Sequence, residues 1–125
     1  MNATDFNSFL SGKISADKFR TLIDTEVTNY SKFMSKKGIS LDLRFLEDES
    51  IYLDGFKFKK LLNSIVSGEL SNVHLTNICD CFSLADNVTF ETEQIKEFVL
   101  ELAAPEINGG FKQTKELGVM ASKII

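Results

Sequence analysis

The sequence predicts an all-α fold: one domain spanning residues 1–125, a bundle of about five to six helices. Two corner motifs and a set of amphipathic stripes predict it. Phe9-Leu10-Ser11-Gly12-Lys13-Ile14-Ser15 returns as Ile65-Val66-Ser67-Gly68-Glu69-Leu70-Ser71, and each copy reads as helix, turn, helix. The glycine supplies a left-handed residue that closes one helix, and the serine caps the amides of the next. Eleven phenylalanines, one proline and a 43% hydrophobic content fit a packed core with few rigid turns.

Taken in order, a first helix covers 4–11 and a second 16–36, divided by the Gly12 corner. Ile14 stands before the Ser15 cap where it can pack on Phe19 as a hydrophobic staple. Phe19, Leu22, Ile23, Val27, Tyr30 and Met34 recur at three- and four-residue steps, the apolar stripe of an amphipathic helix. Between Gly38 and Phe58 the pattern changes: Ile39, Leu41, Leu43 and Phe45 alternate with polar residues, and Asp54-Gly55 is a pair able to turn a hairpin. A minor β element within 39–58 is therefore the alternative to helix there.

A third helix, with Phe58, Leu61, Leu62 and Ile65 on its stripe, ends at Ser67. Leu70 and Leu75 repeat the staple, and a fourth helix runs over 72–86 with Leu75, Ile78, Cys79 and Phe82 inward. The fifth covers 90–104 through Ile95, Phe98, Val99 and Leu102, until Pro105 and Asn108-Gly109-Gly110 break it. Leu117, Met120, Ala121 and Ile124 mark a short last helix.

Composition excludes several function classes. The first ten residues have no cationic start followed by an apolar run, and no stretch reaches membrane-span length, so a cytoplasmic protein without a membrane partner is expected. Two cysteines, Cys79 and Cys81, are too few for a secreted disulfide framework. A net charge of −4 and a pI near 5.0 disfavour nucleic acid and anionic membranes and favour a basic partner. Lys18, Arg20, Lys32, Lys36 and Lys37 on the second helix are interrupted by Asp17, Asp24 and Glu26, so no phosphate-tracking stripe forms.

Catalytic patterns are incomplete. Ser15-Ala16-Asp17-Lys18 has the serine–lysine spacing of penicillin-binding enzymes without their partner motifs, and helix capping accounts for Ser15. His74, Cys79 and Cys81 point in different directions from one helix, so they predict core residues, not a zinc set. Gly109-Gly110 lacks the lysine and hydroxyl that follow in a phosphate-binding loop. No enzyme activity, metal or cofactor is expected.

The fifth helix carries the candidate site. With its apolar stripe inward, Glu93, Glu97 and Glu101 fall on the opposite face at four-residue spacing. Like charges so placed cost a few tenths of a kcal/mol per pair, and core packing does not require them. Leu100 lies among them as an outward apolar residue. If the fourth and fifth helices pair, Asp80, Asp86, Glu91 and Glu106 extend the negative surface. A face kept acidic for solubility is the plain alternative. The partner-binding reading assigns Glu93, Glu97, Leu100, Glu101, Asp86, Glu91 and Glu106.

The run Phe9-Leu10-Ser11-Gly12-Lys13-Ile14-Ser15-Ala16-Asp17-Lys18-Phe19 resembles the opening of small helical immunity proteins that neutralise bacterial toxins, of the colicin and contact-dependent growth inhibition types. Leu84-Ala85-Asp86 through Phe90-Glu91, and Pro105-Glu106-Ile107-Asn108-Gly109, are similar in kind. The resemblance implies a cytosolic helical protein that binds a cognate toxin domain, often an RNA-cleaving nuclease, and stops it without catalysis. The 38–58 insert and the C-terminal tail depart from the shorter family members. Two other classes stay open: a helical adaptor or regulator with no toxin partner, and a nucleic-acid-binding regulator.

Overall fold

The structure, a computed structural model, describes residues 1–34, 45–105 and 108–124. Among them are six helices and two short strands: α1 (Ala3–Leu10), α2 (Ala16–Met34), β1 (Ile51–Leu53), α3 (Gly55–Val66), α4 (Asn72–Leu84), β2 (Val88–Phe90), α5 (Glu93–Ala103) and α6 (Thr114–Ser122). The mainly helical expectation and its minor β element both hold.

The two corners form as the repeated motif requires. Gly12 and Gly68 share a φ of +83°, a region that a side chain enters only at a cost of about 1–2 kcal/mol. The Lys13 amide donates to Ser8 O at 2.8 Å and the Leu70 amide to Ser64 O at 3.0 Å, occupying carbonyls that the helix ends would leave bare. Ser15 Oγ then accepts the Lys18 amide at 3.1 Å, and Ser71 Oγ the His74 amide at 3.3 Å.

The β element is not a hairpin. Asp54-Gly55 opens α3 instead: Asp54 is its N-cap, accepting the Lys57 amide at 2.8 Å. Gly55 lacks the positive φ that a tight hairpin turn demands. Ile51, Tyr52 and Leu53 pair in parallel with Val88, Thr89 and Phe90, so the intervening chain, α3 and α4, is the crossover that parallel strands need. A single parallel bridge joins Asn2 to Leu46. Ile39, Leu41 and Leu43 lie outside the described residues, while Phe45 is half-buried with its ring 6.0 Å from that of Phe82.

The core is aromatic at one end. Phe6 meets Phe82 edge-on at 4.9 Å and Phe19 at 5.9 Å, and Phe9 stacks on Phe19 at 4.8 Å, geometries that add to plain area burial. The stripes of α3, α4 and α5 are buried, apart from a half-buried Phe98, and α6 closes over α3 with Leu117 and Met120. Leu22 departs from the expected stripe of α2 at 47% exposed: among the described residues the helix packs chiefly on α4 and α1, and the side chains buried along it are Phe19, Ile23, Val27 and Tyr30. The side chain of Met34 and residues 35–36 lie outside the described set. The fourth helix stops at Leu84 and the fifth begins at Glu93, since Val88–Phe90 is strand.

Candidate functional site

The pairing of α4 with α5 decides what the acidic face can present. Thr92 caps α5 by accepting the Ile95 amide at 3.2 Å, which sets the rotation of the helix. Ile95, Val99 and Leu102 then go into the core, and Phe98 lies 6.3 Å from Phe58 in a stacked arrangement. The opposite side carries Glu93 and Glu97, both exposed, and Leu100, 46% exposed. Sequence spacing placed these three together and so does the structure.

The remaining predicted site residues divide. Glu101 is half-buried and its carboxylate stands 3.7 Å from Lys112 Nζ, so it is partly neutralised at the flank of the face. Glu91 is exposed, follows β2, and its Oε1 accepts the Gly55 amide at 3.4 Å, placing its charge against the N-terminus of α3. Asp86 is exposed in the turn after α4. Glu106 lies outside the described residues. Asp80, expected to extend the surface, instead accepts the Tyr30 hydroxyl at 3.0 Å and serves the contact between α2 and α4.

Sequence reasoning missed the groove beside this face. A cleft of about 560 Å³ runs between the end of α4, strand β2 and α5, lined by the apolar Phe82, Ala85, Val88, Phe90 and Leu100, the hydroxyls of Ser83, Thr89 and Thr92, and the charged Glu91, Glu93 and Lys96. Lys96 puts one ammonium among the carboxylates. Leu84, at the last position of α4, is 73% exposed. The groove depends on β2, whose pairing no local pattern announces.

A serine, a histidine and an aspartate also converge. His74 is buried; its Nδ1 lies 2.6 Å from Ser71 Oγ and 3.2 Å from the Ser71 amide, and its Nε2 lies 3.0 Å from Asp24 Oδ1. An amide can only donate, so Nδ1 is the acceptor and Nε2 carries the hydrogen that points to Asp24. The ring is thus reversed relative to a nucleophilic triad, in which the serine meets Nε2, and Ser71 Oγ is taken up by the His74 amide. The trio is a capping box that also ties α4 to α2, with Arg20 Nε 3.8 Å from the same carboxylate oxygen. The Ser-x-x-His spacing was the available signal, although glutamate or glutamine usually fills the last position.

Cys79 and Cys81 are free and buried. Burial pushes both thiols up, Cys81 to about 12 and Cys79 further, which leaves them protonated and unreactive. Among the described residues no three His, Cys, Asp or Glu side chains gather as a metal site, and no helix is long and apolar enough to cross a membrane. Comparison with protein-family models, with curated proteins and with solved structures returns no match.

Proposed function

We propose that this chain is a cytosolic binding protein that neutralises a basic toxin domain, a nuclease, by laying the face around α5 and its neighbouring groove over the toxin's cationic surface. The observation that carries the reading is the outer side of α5, where Glu93, Glu97 and Leu100 stay exposed beside a groove of mixed polar and apolar lining. An apolar anchor inside a charged rim is the anatomy of a specific interface. A nuclease presents cationic groups to phosphate, and where these are lysine or arginine, carboxylates can occupy them while speeding encounter. No chemistry by this chain is needed for such inhibition.

The test begins with the immobilised chain, used to capture a protein from its own host. The captured protein is purified, assayed for RNA and DNA cleavage, and titrated with wild type and with E93K/E97K at low and at physiological salt. Glu101 is left intact because it is already paired with Lys112. Exposed substitutions change stability by under about 0.5 kcal/mol, so the variant should fold normally. Its affinity should fall at least tenfold at low salt, about 1.4 kcal/mol, with slower association and a weaker salt dependence. A captured protein that is acidic, that cleaves neither nucleic acid, or that binds both forms equally at low salt overturns the proposal.

A further inference from the structure

The backbone of β2 has a side that the two-stranded sheet does not use. In the parallel ladder the Ile51 amide donates to Asn87 O at 2.9 Å and the Glu91 amide to Leu53 O at 3.1 Å. With Ile51 opposite Val88 and Leu53 opposite Phe90, those two bonds require that Thr89 turn both its N–H and its C=O toward β1. Val88 and Phe90 must then turn their N–H and C=O groups the other way. Among the described residues none of these four groups bonds to a backbone or side-chain partner, and both residues line the groove between β2 and α5. An open strand edge is a template for another strand.

The surroundings specify which strand. Asp86 lies two residues before the strand, Glu91 and Glu93 line the groove beyond it, and Lys96 is the one cation of the groove wall among the described residues. At about 3.3 Å per residue, a segment lying along β2 has one end beside Glu91 and Glu93 in the groove and the other directed toward the turn that carries Asp86. The edge is only three residues long, too short to hold a strand by backbone bonds alone, so charge at the ends must supply the rest. A second copy of this acidic chain would meet repulsion there.

We propose that the groove takes an extended peptide segment of the partner as a third strand, added to the free edge of β2, with β-branched residues in the middle and lysine or arginine toward both ends. This rests on the reading of the α5 face as a surface for a basic partner, and it adds the mode: main-chain pairing at Val88 and Phe90, with the carboxylates selecting for positive charge.

The test uses the full isotope-labelled chain and a short capped peptide with valine and threonine in the middle and arginine at both ends, followed by amide exchange and chemical shifts. Exchange at Val88 and Phe90 should slow at least tenfold on saturation, while Thr89, already bonded to β1, changes little. The same peptide N-methylated at alternate residues along its pairing edge should lose this protection, and a version with glutamate for arginine should not bind. Failure of the arginine peptide to bind at millimolar concentration overturns the proposal. So does binding that shifts α5 resonances with no slowing at Val88 and Phe90, or equal binding of the N-methylated or glutamate peptide. The same exchange measurement on the complex with the captured nuclease separates the two ideas. A basic nuclease that binds through Glu93 and Glu97 yet leaves Val88 and Phe90 unprotected removes strand addition and leaves the acidic surface in place.

Discussion

Replacing His74 by alanine probes whether the corner between α3 and α4 is held as one hydrogen-bonded unit. The side chain is 3% exposed and both ring nitrogens are engaged, so three losses coincide. The Ser71 amide loses its acceptor, about 1 kcal/mol. The bond to Asp24, whose side chain is 52% exposed and therefore screened by water, contributes about 0.5 kcal/mol. Removal of the imidazole opens a void between α2 and α4, at about 1 kcal/mol. His74→Ala should therefore cost about 2.5 kcal/mol, within the range of a broken buried network. His74→Gln keeps a carbonyl oxygen at the capping-box position but not the reach to Asp24, and should cost about 1 kcal/mol. Ser71→Ala should cost about 1 kcal/mol, and the S71A/H74A double variant about 0.5–1 kcal/mol less than the two singles added, because either single opens the box. Urea unfolding followed by far-UV circular dichroism gives each value from the midpoint at constant slope. Equal losses for glutamine and alanine, or full additivity in the double variant, would refute the capping account of this trio.

Two further outcomes test single sites. The Asp48 carboxylate accepts the Thr4 amide at 3.0 Å and the Thr4 hydroxyl at 2.8 Å, and the amide bond chiefly holds it below its ordinary value of 3.8. A depressed carboxylate stabilises the fold above its unfolded value and loses that contribution as pH falls through the folded one. The melting temperature of Asp48→Asn should therefore lie below wild type at neutral pH, and the gap should close below pH 3.8; a gap independent of pH contradicts the charge argument. Cys79 and Cys81 should both resist a thiol reagent in the native protein and both react once urea unfolds it, since burial keeps the thiolates from forming. Rapid modification of either native thiol shows that α4 opens locally.

The elements that depend on neighbours within one or two turns were legible in the chain. Gly12 with Ser15 and Gly68 with Ser71 announced both corners, because a left-handed residue and a cap are local requirements. Four-residue spacing put Glu93 and Glu97 opposite Ile95 and Val99, because rotation along a helix is a property of the helix alone. The elements that depend on distant residues were not legible. Asp54-Gly55 is as suitable for a turn as for a helix start, and in the fold it is the helix start, with Ile51–Leu53 paired to the distant Val88–Phe90. Asp48 supplies the first turn of α1 with a carboxylate from far along the chain, where the local cap, Asn2, makes no side-chain bond. Asp80 and Glu101 look like members of one acidic surface until Tyr30 and Lys112 arrive beside them. Local propensity and periodicity thus account for the helices and for which side of α5 is charged. The groove, the open strand edge and the number of carboxylates left free come from long-range packing, whose closure cost and shape are set by every element at once.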